Sequence, residues 1–98
     1  MIEHIVLFRC NESCNEQARK NFIRAARGMQ ALIPEILYLS AGENWSERSD
    51  GYELGMVLRF QNKETLDVYQ KHPVHQSFKT EMVAPNITKV LAVDYFVE

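Results

Sequence analysis

YELGMVLRF, residues 52–60, is the stretch whose alternation decides the fold. Tyr52, Leu54, Met56, Leu58 and Phe60 share one parity, and Glu53, Gly55, Val57 and Arg59 share the other. Successive side chains of a strand point to opposite faces, so the segment reads as a strand with one apolar face. Immediately before it, ENWSERSDG is dense in turn formers and carries the only tryptophan, Trp45. Trp45 reads as a surface-packing residue ahead of a lid or interface anchor, and Arg48 as a solvated loop charge. Ile36 to Gly42 forms a second, less cleanly patterned strand.

Further upstream the period changes. From about Cys14 to Ile33, Ala18, Phe22, Ala25 or Ala26, Met29, and Leu32 or Ile33 recur at helical spacing. Asn11 and Ser13 offer caps at its start, and Pro34 stops it. Ile2 to Arg9, rich in β-branched and aromatic residues, reads as the opening strand. Downstream, Asn62 caps a short helix through roughly Tyr69, and Pro73 opens another carrying Val74, Phe78 and Met82. Pro85 and Asn86 end that helix, and Lys89 to Val97 makes the last strand.

The resulting order, βαββαβ, predicts an α+β, ferredoxin-like sandwich: a four-stranded antiparallel sheet, spatially 4-1-3-2, with helices on one face. Residues 1–98 make one domain at this length. The open sheet face would carry Ile5, Leu7, Val57, Leu91, Val93 and Tyr95. Such an apolar patch predicts a partner, most simply a second copy packed sheet against sheet. A formal net charge of −2 with scattered Lys and Arg argues against nucleic acid. The absence of a long apolar run or signal-peptide pattern argues against a membrane and predicts a cytoplasmic protein. Cys10 and Cys14 are expected as free thiols, and no metal or cofactor motif is present.

Candidate chemistry centres on YQKHPVHQSF, residues 69–78. Pro73 pushes His72 out of the α region and starts a new helix, placing His75 in its first turn. There the helix dipole disfavours the imidazolium, leaving a neutral imidazole suited to a general base. His4 and Asp94 would meet at one end of the sheet if the first and last strands pair antiparallel. With Tyr69 and His75 they would surround an apolar space. From spacing alone, His4 and Asp94 read more often as strand-end polar residues satisfied by backbone or water.

HIVLF at 4–8, GENWSER, DGYELGMVLRF, YQKHPVHQSF and the closing VDYFVE together resemble the stress-responsive α/β-barrel domain family. The resemblance spans essentially the whole chain and is most specific in HP-x-H combined with a histidine in the first strand. It implies a homodimeric α/β barrel. It also includes a branch with a plant polyketide cyclase, which performs a cofactor-free intramolecular aldol condensation using a histidine dyad, a tyrosine and an aspartate. By motif position those roles fall on His4, His75, Tyr69 and Asp94, with Phe22, Met56, Leu58, His72 and Phe78 expected to shape the pocket. The leading expectation is a small apolar pocket that binds or converts a carbonyl-containing or aromatic metabolite by cofactor-independent cyclase or lyase chemistry. His75 would act as base, oriented by Asp94, with His4 and Tyr69 polarising the carbonyl. The alternatives are a non-catalytic stress-response or interaction protein and a cofactor-free monooxygenase of related dimeric barrels.

Overall fold

The computed structural model describes residues 1–97; Glu98, the last residue of the closing VDYFVE motif, lies outside them. Strand β1 (Ile2–Cys10) is followed by helix α1 (Glu16–Leu32) and strands β2 (Tyr38–Glu43) and β3 (Tyr52–Phe60). Helices α2 (Lys63–Lys71) and α3 (Pro73–Phe78), a wide π turn (Lys79–Val83), helix α4 (Ala84–Asn86) and strand β4 (Ile87–Phe96) complete the order. The sheet runs β2-β3-β1-β4 with every pair antiparallel, which is the ferredoxin-like arrangement expected.

The alternation in β3 is realised in full. Tyr52, Leu54, Met56, Leu58 and Phe60 are buried beneath the helices, while Glu53 and Arg59 are exposed. In β1 the matching row is Ile2, His4, Val6 and Phe8, set opposite Phe60, Leu58, Met56 and Leu54. Helix α1 closes this core with Phe22, Ala26 and Met29, and Ile33 just past its end joins them. Ala26 and Ile33 are the inward members of the two ambiguous pairs; Leu32 is 61% exposed. Phe22 stands edge-on to Phe8 and Phe78, with ring centroids 4.9 and 5.0 Å away.

Several boundaries move for local reasons. Asn15, rather than Asn11 or Ser13, caps α1, its side chain accepting from the Ala18 amide at 2.9 Å. Asn11 instead accepts from the Ser13 amide and makes a side-chain turn. Strand β2 begins at Tyr38 because the Ile36 amide is already used in a turn onto the Ile33 carbonyl. The last helix ends at Asn86 as expected, with Pro85 inside its final turn. Proline cannot donate to the carbonyl four residues back, and its ring crowds that carbonyl in a regular α-helix. The π turn just before it widens the backbone, with the Ala84 amide bonding the Lys79 carbonyl.

The open sheet face carries the expected apolar residues. Ile5, Leu7 and Val57 are half-buried, while Leu91, Val93 and Tyr95 are 45–49% exposed. Glu3 also lies on this side, buried and paired with Arg59 at 2.9 Å, a contact that the strand pattern does not reveal. Trp45 is 93% exposed, so the surface-packing role read for it is not realised within the chain. Phe22→Ala is expected to lower stability by about 3–5 kcal/mol through the cavity it leaves between Phe8 and Phe78. Urea denaturation at fixed protein concentration reads that loss.

Candidate functional site

The β1–β4 register sets His4 directly opposite Asp94. His4 Nδ1 is hydrogen-bonded to Asp94 Oδ1. His4 is 6% exposed, enclosed edge-on by Phe60 and Tyr69 at centroid distances of 6.3 and 6.1 Å. The Asp94 side chain is 45% exposed and faces a neighbouring cleft with Lys63, Asp67 and Phe96. A carboxylate accepting from Nδ1–H fixes the imidazole orientation and leaves Nε2 as the free ring nitrogen. Asp94 therefore orients His4, and among the described residues no hydrogen bond joins it to His75. This corrects the expected pairing of Asp94 with His75.

The second half of the site depends on a break between two helices. Asn62 opens α2 with a reciprocal capping box, its side chain accepting from the Thr65 amide and its own amide bonding the Thr65 hydroxyl. The helix ends at His72, whose extended backbone (φ −63°, ψ 137°) is what a following proline favours. His72 Nδ1 accepts from the Val74 amide at 3.1 Å, so this histidine caps α3 and does not line the cavity described below. The chain turns at Pro73 and brings His75 against Tyr69, with ring centroids 4.3 Å apart.

Tyr69 is 1% exposed, and its hydroxyl has no hydrogen-bond partner; buried His75 Nδ1 likewise has none. Burial pushes the His75 pKa down to about 4, helped by the proximity of Lys79 and His4. Burial also pushes the Tyr69 phenol above its ordinary range. At neutral pH both groups are therefore uncharged. The main cause for His75 is desolvation rather than the helix dipole, since α3 spans only 6 residues.

His4, Tyr69 and His75 all line one cavity of about 340 Å³. Val6, Phe8 and Met56 floor it, edge strand β4 adds Val90 and Ala92, and Phe78 closes the helix side. Of the residues expected to shape a pocket, Met56 and Phe78 line it. Phe22 sits one layer behind, against Phe78, and Leu58 is fully buried in the core. Gln70, Lys79 and Val83 also line the cavity, beyond the residues that the sequence singles out. Lys79 and Val83 lie four and eight residues beyond His75, a spacing that is legible but masked by Pro85. Elsewhere, Cys10 and Cys14 are free thiols with sulfurs 3.1 Å apart, and burial pushes the Cys10 thiol up to about 12. No group of metal ligands occurs among the described residues. Among them, no helix is long and apolar enough to cross a membrane.

A ferredoxin-like sheet with a cavity between its edge strand and helices, lined by two histidines and a tyrosine, defines a small α+β domain with a candidate ligand site. The sequence profile of the stress responsive A/B barrel domain matches residues 2–97, and the chain belongs to that family. It is 25% identical over 99 residues to a stress-response A/B barrel domain-containing protein of Arabidopsis thaliana, an alignment covering 100% of this chain. The chain spans only 37% of that protein's length. Among solved structures it resembles a dimeric ferredoxin-like protein of unknown function from Thermobifida fusca, with a TM-score of 0.87 and 26% identity. That match covers 98% of this chain and 90% of the other. It also shares its fold with the hydroxynitrile lyase of Passiflora edulis, with a TM-score of 0.87 and 19% identity, covering 99% and 93% of the two chains.

The depressed His75 pKa has a stability consequence of defined sign. The folded state resists protonation that the unfolded chain accepts, so stability falls as pH drops from 6.5 toward about 4. His75→Gln should flatten that part of the profile, measured as the melting temperature against pH for both proteins.

Proposed function

We propose that this chain acts as a homodimer in which each subunit's cavity binds and converts a small carbonyl compound by cofactor-free acid–base chemistry. The observation carrying this reading is the pair of buried, unpartnered polar atoms, Tyr69 Oη and His75 Nδ1, on two residues that line the same cavity as the oriented His4. Buried polar atoms are nearly always satisfied in native proteins, and two orphans beside one cavity call for a polar ligand atom. A carbonyl oxygen, which accepts two hydrogen bonds, meets that need.

The roles then follow from the environments. An imidazole whose pKa is near 4 is a feeble base at neutral pH but a good neutral hydrogen-bond donor. His75 and Tyr69 are accordingly assigned to the carbonyl oxygen, donating N–H and O–H bonds that strengthen as the oxygen gains charge. His4, held through Nδ1 by Asp94, is assigned as the base. Its Nε2 takes the proton from the carbon next to the carbonyl, and the bonding pair moves into the enolate. The enolate carbon then attacks a second carbonyl or is reprotonated, and His4 returns the proton. Aldol-type and lyase-type outcomes share this first step. The fold shared with a hydroxynitrile lyase is compatible with it, but His4, Asp94, Tyr69 and His75 carry the proposal.

The dimer is inferred from Leu91, Val93 and Tyr95, about half exposed on the sheet face beside Ile5, Leu7 and Val57. The structural relative from Thermobifida fusca is described as dimeric. A second copy of this face would cover the patch and remove it from water.

Two measurements test the proposal. In heavy water, the wild-type protein should accelerate deuterium uptake at the methyl group of acetophenone, followed by proton NMR. His4→Ala, Asp94→Asn and Tyr69→Phe should each reduce the enzymatic rate by about 10- to 100-fold. Wild-type exchange no faster than buffer, or full activity in His4→Ala, contradicts the mechanism. Sedimentation should show a dimer for wild type and a monomer for Val93→Lys combined with Leu91→Glu. A wild-type monomer contradicts the sheet-to-sheet assembly.

A further inference from the structure

Lys79 is the one permanently charged side chain on the cavity wall, which holds no carboxylate among the described residues. It lies one helical turn beyond His75, and its charge is felt there, contributing to the depressed basicity of that ring. The π turn begins at Lys79, and this wide turn brings Val83 back to the same wall as His75 and Lys79. An α-helix rotates about 100° per residue, and a π turn rotates less, so the turn holds residues four apart more nearly in line. Lys79 thus stands on the cavity wall one turn beyond His75, with its side chain exposed at the mouth.

Lys79 is the only lysine or arginine on this cavity wall, and it is one of several basic side chains without an ion pair among the described residues. Arg9, Arg19, Lys20, Arg59 and Lys71 each pair with a carboxylate of the same chain. Lys79 is exposed and makes no ion pair among the described residues. An ammonium at the rim of a low-dielectric cavity attracts an anion more strongly than one in open water. The wall offers no competing negative charge, since its other ionisable groups are two histidines and a tyrosine.

We infer that the cavity selects a small organic carboxylate, its apolar body on Val6, Met56 and Ala92 and its carboxylate paired with Lys79 at the mouth. The inference rests on the carbonyl-binding cavity proposed above and narrows its ligand to a keto acid or comparable carbonyl-bearing anion. A positive rim also favours the developing enolate, so the charge that selects the ligand is consistent with the chemistry assigned to the interior. At about 340 Å³ the space suits a ligand the size of a substituted aromatic acid.

The test compares phenylacetate with phenylacetamide, which match in shape and differ in charge. Binding is followed by NMR shifts of the His4 and His75 ring resonances, with a backbone amide spectrum showing that each variant is folded. Wild type should bind the acid about fivefold more tightly than the amide at low salt, the upper range for a solvent-accessible ion pair. High salt should narrow that difference. Lys79→Met should make the two probes equal by weakening only the acid, and Lys79→Arg should keep the preference. Equal binding of both probes by wild type, or a preference that survives in Lys79→Met, overturns the anion selection while leaving the cavity reading intact. Ring resonances unmoved by either probe overturn both.

Discussion

The register of β1 against its two neighbours is the constraint on which the remaining structure depends. As an inner strand, β1 sets Phe60, Leu58, Met56 and Leu54 opposite one row and Phe96, Asp94, Ala92 and Val90 on its other side. A slip of one residue would exchange the two faces of a strand. It would move His4 from the cavity to the open face and put Glu3 beneath the helices. The same register that buries Ile2, Val6 and Phe8 therefore places His4 against Asp94. It also leaves Ile5, Leu7, Leu91 and Val93 together on the open face of the sheet.

The second constraint is the interruption at Pro73. A continuous helix from Asn62 would carry Tyr69 and His75 onto different sides, since six residues at about 100° each rotate far from alignment. Ending α2 at His72 and restarting at Pro73 turns the chain so that the two rings meet at 4.3 Å, tilted by 44°. Burial against Tyr69 removes the charge of His75, and both polar atoms are left without a hydrogen-bond partner. Packing, electrostatics and proposed chemistry thus share one origin in the X–Pro step. Pro85 plays a related part at the far end, where the π turn that accommodates it aligns Lys79 and Val83 with the cavity.

Much of this is legible in the residues, and the reasons differ from place to place. Period-two alternation in Tyr52–Phe60 is a direct consequence of strand geometry, so β3 and the core face are plain. The antiparallel meeting of His4 and Asp94 follows from strand order alone. Which histidine Asp94 would hold does not follow, because that depends on how far α3 stands from the sheet. Phe22 and Leu58 have the same apolar character as Met56 and Phe78. Only the layer each occupies separates core from cavity wall. Asn15 is hidden as the helix cap because Asn11 and Ser13 compete nearby with the same chemistry. Lys79 is hidden because a lysine on a helix normally reads as a solvated charge.

The central claim is that a neutral His75 faces the Asp94-bound His4 across one cavity. Long-range proton–nitrogen NMR of both imidazoles through a pH titration tests it most directly. His75 should stay neutral from pH 7 down to about 4, and the His4 Nδ1 signal should shift on replacing Asp94 with asparagine. His75 taking up its proton near the ordinary value of 6.5, or a His4 signal indifferent to Asp94, would contradict it.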